Sequence, residues 1–416
     1  MKFCVIVDGY STGGQYAELF SNKGYKCLHL QSNQDLPDFI TKELKREQYE
    51  ECNVHYELAE TFNWIQKYGI PDFILPGSDS GVWIADKLSH EFGLDKRNSS
   101  RLSLARRDKF IMGETIEKSG LRSIKQIKTS KIDDIFPWMK EAKVSWPVVV
   151  KPLKSGSGEG FSLCQDFEAV QEAFSRLLSS HDLFNQKNYM LLIQEYIVGI
   201  EYVVNTVSSK GKHIVSEYCV YDKIINEEGN SLYKSTRFLS RNFQYNSLLN
   251  KYVFSVLDAL EINYGPAHVE VMIDEYGPVL VEIGARPAGS NMDRFLLHDS
   301  YGHSQVDLSV LVYAAPEKFV NAAVNLSDNL QKELVKVYLM SDKNGIIDQI
   351  KTDKIRGLPS FRKIELHAKV GDFIKKAKNL EDIIGIVYLQ HKEKNLLEKD
   401  LEYLNNIDCS EYLLIS

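Results

Sequence analysis

A chain of 416 residues is too long for one ordinary domain, so its length predicts two or three domains. Apolar residues make up 44% and charged residues 26%, which argues against a disordered protein, and a net charge of −7 without a basic stripe argues against nucleic acid as a partner. The six cysteines form no CxxC pair, so we expect reduced thiols. The N-terminal apolar run is too short for a signal peptide, and no stretch approaches the roughly 18 apolar residues of a spanning helix. We therefore expect a cytoplasmic protein with no membrane partner.

The first hundred residues alternate strand and helix patterns. Strands are predicted at 3–7, 25–30 and 73–75, and helices at 15–22 and 58–68. This alternation predicts parallel βαβ units in an N-terminal α/β domain at 1–105, with sites at the carboxyl ends of the strands. Gly9, Gly13 and Gly14 lack the GxGxxG spacing, so we interpret them mainly as a tight turn between strand and helix rather than a cofactor loop.

From about residue 108 the pattern becomes α+β with antiparallel hairpins. Helices are predicted at 109–118 and 252–260, and strands at 124–127, 147–151, 161–164, 190–195, 201–208, 214–221, 267–273 and 279–283. The segment after about 310 is predicted to form a smaller α+β C-terminal domain that ends in a charged helix at 392–405. We assign residues 106–195 to one subdomain and 196–416 to a second subdomain with this C-terminal extension.

A glycine-rich run follows the strand predicted at 147–151. Residues 151–160 read KPLKSGSGEG, with lysines at 151 and 154. Glycines and serines leave the backbone free to fold its N–H groups around an anion, so phosphate binding and a merely flexible hairpin loop are both open. The run is not a Walker A loop, because GxxxxGK[ST] is absent and a strand follows it rather than a helix.

Two glutamates lie within apolar strands of one predicted hairpin. Glu270 and Glu282 are 282 − 270 = 12 residues apart, which allows neighbouring strands to present both carboxylates on one face. An ion pair with Arg286 or a solvent-facing side of the sheet would also explain them. Magnesium is favoured, because this hard cation takes carboxylates together with nucleotide phosphates. A third feature, the strand end at Glu195 and Tyr196 followed by Glu201, is weak by itself as a binding site for adenine and ribose.

The three features together resemble the ATP-grasp superfamily, and within it the bacterial L-amino-acid ligases that form dipeptides, over about residues 1–300. The resemblance implies two ATP-grasp subdomains with a glycine-rich phosphate lid in the first. It assigns Lys109 and Lys151 to the nucleotide phosphates, Glu195 and Tyr196 to adenine, and Glu201 to ribose. The complete set of ATP-binding residues that it implies is Lys109, Lys151, Lys154, Ser155, Gly156, Ser157, Gly158, Gly160, Glu195, Tyr196 and Glu201.

The same resemblance assigns the reacting groups. It implies that Glu270 and Glu282 bind one or two magnesium ions and that Arg286 steadies the transferred phosphate. Gly289 and Ser290 would lie beside the reacting carboxylate. His268 would orient or deprotonate the attacking amine, although a histidine that is simply satisfied within the core is an equal alternative. The sequence departs from this family at one position. Many relatives read E-x-N-x-R, and their asparagine helps to bind a second magnesium ion. Here Gly284 replaces that asparagine.

The implied reaction is the ATP-dependent joining of two L-amino acids through an acyl phosphate, with release of ADP and phosphate. A biotin-carboxylase-like or purine-pathway ligase acting on a different carboxylate is the main alternative. A non-catalytic nucleotide-binding protein is disfavoured by the intact set of charged residues, and a dehydrogenase by the missing dinucleotide fingerprint. The sequence does not name the amino acids, although Asp293 suggests a basic one, and it leaves the oligomeric state open, with a homodimer among the options.

Overall fold

The structure, a computed structural model, describes residues 2–154, 156, 158–182 and 184–416. Its first part contains the strands β1 (Phe3–Val7), β2 (Lys26–Gln31), β3 (Glu51–Val54) and β4 (Phe73–Pro76) and the helices α1 (Tyr16–Ser21), α2 (Asp38–Thr41), α3 (Leu58–Gln66) and α4 (Val82–Glu91). The strands pair in parallel in the order β3-β2-β1-β4. The predicted βαβ organisation is therefore confirmed, and the sequence patterns missed β3, α2 and α4.

The turns that follow β1 and β4 pack backbone against backbone. A Cβ atom on Gly13 would lie 2.2 Å from the carbonyl oxygen of Gly77, so no side chain fits there. The Asp8 carboxylate accepts hydrogen bonds from the Ser32 amide at 2.7 Å and the Ser80 hydroxyl at 2.6 Å, which ties the neighbouring turns together. This packing accounts for the glycine cluster as a tight turn, in agreement with its interpretation from the sequence.

The second part is an antiparallel sheet covered by helices. Its elements are α5 (Lys109–Lys118), β5 (Gln126–Thr129), α6 (Ile135–Ala142), β6 (Val148–Pro152), β7 (Ser162–Cys164), α7 (Phe167–Leu177) and β8 (Leu191–Glu195). The strand order is β5-β8-β6-β7, and Val148, Val150 and Ile193 pack against Ile135 and Phe174 of the helices. The helix predicted at 109–118 is confirmed with these bounds, and the Asp108 carboxylate caps it by accepting from the amides of residues 110 and 111.

The third part begins with a long antiparallel meander, whose strands carry Glu201, Glu270 and Glu282. Its elements are β9 (Ile200–Ser209), β10 (Lys212–Ile225), β11 (Ser231–Leu239), α8 (Asn246–Ala259), β12 (Tyr264–Asp274), β13 (Gly277–Gly284), α9 (Arg294–Tyr301), α10 (Gln305–Ala314) and α11 (Pro316–Val324). Val269 and Val271 of β12 pack beneath the sheet with Val256 of α8. Because side chains alternate along a strand, Glu270 points to the opposite, open face.

The C-terminal segment is α+β, as predicted. It contains β14 (Glu333–Met340), β15 (Gly345–Ile350), α12 (Asp353–Arg356), β16 (Phe361–Leu366), β17 (Phe373–Ile374), β18 (Ile383–His391), α13 (Lys394–Asn406), α14 (Cys409–Tyr412) and β19 (Leu413–Ile415). Three of these strands extend the sheet of the third part, in the order β13-β12-β9-β10-β11-β14-β18-β16, and β15 joins β17 and β19 in a small separate sheet. One open face therefore runs from the paired glutamates into the C-terminal segment.

Short 3-10 turns connect these elements, at Ser11–Gln15, Arg46–Gln48, Asp79–Gly81, Ser100–Leu102, Leu104–Arg106, Ile132–Asp134 and Leu380–Asp382. Helix α10 packs back on the first part, where Tyr313 contacts Phe73 with ring centroids 4.9 Å apart. The first and third parts are thus packed together around the site. Among the described residues, no helix combines the length and the apolar character that crossing a membrane requires.

Candidate active site

The two glutamates predicted to share a face do so. Glu270 on β12 and Glu282 on β13 are direct partners in the antiparallel register, which places their side chains side by side. The Lys109 ammonium forms an ion pair with Glu282 at 2.9 Å, and the Lys109 side chain is only 5% exposed. The Lys109 amide also donates to the carbonyl of Leu153 at 3.1 Å, so the start of α5 is tied to the residue that follows β6.

Lys151 lies at the carboxyl end of β6 and is buried near the same group of charges. Burial and, to a smaller extent, the nearby ammonium of Lys109 lower its pKa, Glu282 and Glu270 oppose them, and the net value is about 8. Two lysines and two carboxylates predicted from the sequence therefore occupy one space. Such a mixture of signs can neutralise the phosphates of a nucleotide and hold a divalent cation.

Glu201 lies on β9 along the same face, and its carboxylate is held by a lysine that the sequence did not single out. The Lys223 ammonium contacts both oxygens of Glu201, at 2.6 and 2.7 Å. Burial raises the pKa of Glu201, Lys223 lowers it, and the negative charge of Glu270 raises it. Glu201 is thus brought to the cluster, with Lys223 as an additional cation.

Glu195 and Tyr196 lie apart from the paired glutamates, at the end of β8. The Glu195 carboxylate accepts from the amide of Lys125 at 2.9 Å, and Glu195 and Tyr196 are both partly exposed. Lys154 is partly exposed as well, just beyond β6. The contact of Glu195 is thus with the residue before β5 and not with the paired glutamates.

Three glycines of the glycine-rich run are described in the structure. Gly158 and Gly160 have φ of 76° and 69°, and a Cβ atom on Gly160 would lie 2.7 Å from Pro152 Cδ. A Cβ atom on Gly158 would lie 3.6 Å from the ring of Tyr233, so the loop contacts β11. Gly156 lines a cleft that opens at Glu270 and Arg286. The predicted ATP ligands Ser155 and Ser157 lie outside the described residues.

Arg286 is oriented by a carboxylate from the first part of the chain. Asp79 Oδ2 accepts from Arg286 Nε at 2.7 Å and from Nη2 at 2.5 Å, and Arg107 Nη1 lies 4.0 Å from Asp79 Oδ1. Burial raises the pKa of Asp79, but Arg286 and Arg107 lower it more, so the carboxyl stays ionised well into the acid range. The expected alternative, an ion pair between Arg286 and the paired glutamates, is not what the structure shows.

The same carboxylate explains the glycine at 284. A Cβ atom on Gly284 would lie 2.7 Å from Asp79 Oδ1, so the space that an asparagine would need is taken by Asp79. Sequence reasoning missed Asp79, because 207 residues separate it from Arg286. Its place after the strand β4, where sites of parallel sheets lie, is the one signal that would have found it.

His268 stands beside the paired glutamates with three polar neighbours. Its Nδ1 atom lies 2.8 Å from Asn205 Oδ1, and its Nε2 atom lies 3.4 Å from both Glu270 Oε1 and Tyr221 Oη. Because the Asn205 oxygen can only accept, Nδ1 carries a proton in both charge states of the ring, and Nε2 is turned toward the open face. Burial opposes ionisation of Glu270, yet the bond and charge of His268 when both its ring nitrogens are protonated, together with the charges of Lys223 and Arg286, lower the pKa of Glu270 to about 2.

A cleft of about 1120 Å³ opens at His268, Glu270 and Arg286. It extends between the turns of the first part, the loop after Arg286 and the C-terminal segment. Gly289 and Ser290, the expected substrate-binding residues, line it. Their loop is anchored by Met292, whose amide donates to Thr12 Oγ1 at 2.9 Å. Asp293 does not line the cleft: its carboxylate caps α9 and pairs with Lys363 at 2.8 Å, which removes the basis for inferring a basic amino acid.

The sequence of the chain is similar to that of a known group of enzymes. Residues 144–293 match the ATP-grasp domain family. The chain is 30% identical to dapdiamide A synthase of Enterobacter agglomerans over 414 residues, which cover 99% of this chain and 96% of that protein.

Two solved structures share the fold. An L-amino acid ligase from Bacillus licheniformis has a TM-score of 0.76 at 16% identity, over 100% of this chain and 98% of that one. An N5-carboxyaminoimidazole synthetase from Staphylococcus aureus complexed with ADP has a TM-score of 0.69 at 15% identity, over 97% of both chains. From the family match, the full-length relative and the shared fold, the chain belongs to the ATP-grasp superfamily of carboxylate–amine ligases.

Proposed function

We propose that this protein joins two L-amino acids into a dipeptide through an acyl phosphate, with release of ADP and phosphate. The observation that carries the proposal is the continuous cleft of about 1120 Å³ that starts at His268, Glu270 and Arg286. Its volume exceeds the roughly 300–1,000 Å³ of common small-molecule pockets, which suits two substrates side by side. The similarity to dapdiamide A synthase and to an L-amino acid ligase supports the same class of reaction.

In this proposal the nucleotide lies between the sheet β5-β8-β6-β7 and the long sheet whose strands β12 and β13 carry the paired glutamates. Lys109 and Lys151 bind its phosphates, Glu195 and Tyr196 receive adenine, and Glu201 receives ribose. The glycine run at 154–160 covers the phosphates, and the position of Gly158 beside the ring of Tyr233 supports this role. The Lys109–Glu282 ion pair opens as phosphate enters, which exchanges one anionic partner of the lysine for another.

The residues present fit a magnesium ion. Glu270 and Glu282 are direct partners on one face, and carboxylates with nucleotide phosphates are the ligands that magnesium takes. Within the described part of the chain, no group of three or more His, Cys, Asp or Glu side chains has metal-binding geometry, so phosphate and water oxygens would complete the shell. When bound, the ion supplies positive charge to the β- and γ-phosphate oxygens.

The chain contributes position and charge to the reaction. The carboxylate of the first amino acid attacks the γ-phosphorus in line, and Lys109, Lys151 and Arg286 neutralise the charge that spreads over the transferred group. Asp79 holds the guanidinium in place, so Arg286 needs little rearrangement when charge develops on the transferred group. The amine of the second amino acid then displaces phosphate, and His268 Nε2, oriented by Asn205, receives its proton.

The test is nucleotide chromatography of turnover mixtures after an all-against-all amino-acid screen for phosphate release with ATP and magnesium. We expect ADP and phosphate in equal amounts with a dipeptide, and a hydroxamate when hydroxylamine replaces the second amino acid. AMP and pyrophosphate in step with product would contradict the mechanism. Turnover only with bicarbonate or another carboxylate would keep the ligase chemistry and overturn the amino-acid substrate.

A further inference from the structure

Lys336 is a buried lysine in the wall of the cleft. It lies in the middle of β14, opposite Thr236 on β11 and Tyr388 on β18. The side chain is 1% exposed, and its ammonium donates to the carbonyl of Ser290 at 2.9 Å and faces the ring of Tyr338, 5.6 Å from its centroid. The ammonium is therefore desolvated and lies directly under the loop that lines the substrate cleft.

This ammonium has no anionic partner in the described residues, where no carboxylate oxygen lies within 4.0 Å of it. The other cations of the cleft differ, because Arg286 is paired with Asp79, whereas Lys42 and Lys375 are exposed to water. Burial lowers the pKa of Lys336 and the charge of Glu365 opposes this, with a result of about 8, so the group remains mostly protonated at neutral pH. Glu365 is itself paired with Lys363 at 2.6 Å. A buried charge without a counter-ion in direct contact is costly, which makes this position receptive to an anion.

Lys336 lies several strands away from the paired glutamates. Lys336 lies on β14 and Glu270 on β12, and the order β12-β9-β10-β11-β14 puts four strand spacings, roughly 19 Å, between their backbones. Val203, Cys219, Tyr221 and Thr236 line the same cleft along this path. Lys336 therefore lies at the end of the cleft that is distant from the paired glutamates, where the far part of a bound substrate would lie.

We propose that Lys336 binds the carboxylate of the amino acid that supplies the amine, an inference that rests on the proposed function. Joining two amino acids consumes one carboxylate, and the other stays in the cleft as an anion. That anion needs a desolvated cation away from the phosphates, and Lys336 is the buried lysine that meets this requirement. The Ser290 carbonyl holds the ammonium in place until the substrate arrives.

The experiment compares a free amino acid with its carboxamide as the amine donor, using a pair found in the phosphate-release screen. Wild-type protein should prefer the acid in kcat/KM by roughly 10- to 100-fold, the range for a hydrogen bond to a charged group. In Lys336→Met, which keeps the length of the side chain without its charge, the preference should fall to about twofold or less. The hydroxamate formed without an amine donor should stay within about twofold of wild type, because the first step does not use Lys336.

Lys375→Met is the matched control, since it removes an exposed cation from the same cleft and should keep the preference for the acid. Lys336→Arg, which keeps the charge, should retain most of the preference and guards against misfolding of the methionine variant. A wild-type protein that uses acid and amide equally well, or a folded Lys336→Met protein that still prefers the acid, would overturn the inference alone. Absence of ADP with every amino-acid pair would instead overturn the proposed function.

Discussion

The ion pair between Asp79 and Arg286 allows a sharp test of how the two parts of the chain hold the site. The substitution Asp79→Asn keeps the shape of the side chain and removes its charge. Arg286 would lose the carboxylate that accepts from both Nε and Nη2. It would stay buried with a charge that no other carboxylate within 4.0 Å balances in the described part of the chain. Both stability and turnover should therefore fall.

The magnitude follows from burial. Breaking a buried ion pair from one side costs about 3–5 kcal/mol, whereas an exposed pair is worth about 0–1 kcal/mol. The side chains of Arg286 and Asp79 are 15% and 18% exposed, and an asparagine oxygen still accepts one hydrogen bond. We therefore expect a loss of about 2–3 kcal/mol in the free energy of unfolding, and a fall in kcat of on the order of tenfold because the guanidinium is no longer held.

Urea denaturation at pH 7 and at acid pH measures this loss. The pKa of Asp79 lies below its usual 3.8, so the pair contributes its full stability above that pH and loses it as the pH falls through the lowered value. The difference between wild type and Asp79→Asn should accordingly shrink below about pH 3.8. Glu411→Gln, which breaks an exposed pair with Lys354, is the control and should cost less than about 1 kcal/mol. Equal stability and turnover of Asp79→Asn and wild type at pH 7 would refute the reasoning.

Three further predictions concern the cluster itself. Glu282→Gln should lower ADP formation on the order of 100-fold or more with an unchanged circular dichroism spectrum, and normal turnover of the folded variant would remove this carboxylate from the mechanism. The kcat/KM for ATP should fall as the pH rises above about 8, because phosphate binds the protonated form of Lys151. In Lys151→Arg this fall should occur at higher pH, and a fall at the same pH as in wild type would assign the titration to another group. Asn205→Ala should lower kcat roughly tenfold, since His268 loses the acceptor that orients it, and should leave the KM for ATP unchanged; a higher KM alone would place Asn205 in nucleotide binding instead.

Several features followed from the sequence because they depend on residues close together in the chain. The strand at 3–7 and the helix at 109–118 have the bounds that their patterns predict. The spacing of Glu270 and Glu282 predicted a shared face, and a two-stranded hairpin with alternating side chains delivers it. The family also followed from local motifs, since the glycine run and the EIGAR segment each lie within ten residues.

The partners of those residues were decided by tertiary structure. Asp79 reaches Arg286 only because the turn after β4 packs against the end of β13, and nothing local marks either residue as the other's partner. Lys336 shows the same limit most clearly. Its strand reads ELVKVYLM, so Lys336 is a single charge within an apolar run, and nothing in that run shows what its ammonium meets. The answer comes from packing, because β14 is an inner strand of the long sheet and the loop at Ser290 covers that face. Local alternation determines which residues share a face, but only the packing of distant segments determines whether that face meets solvent, core or substrate.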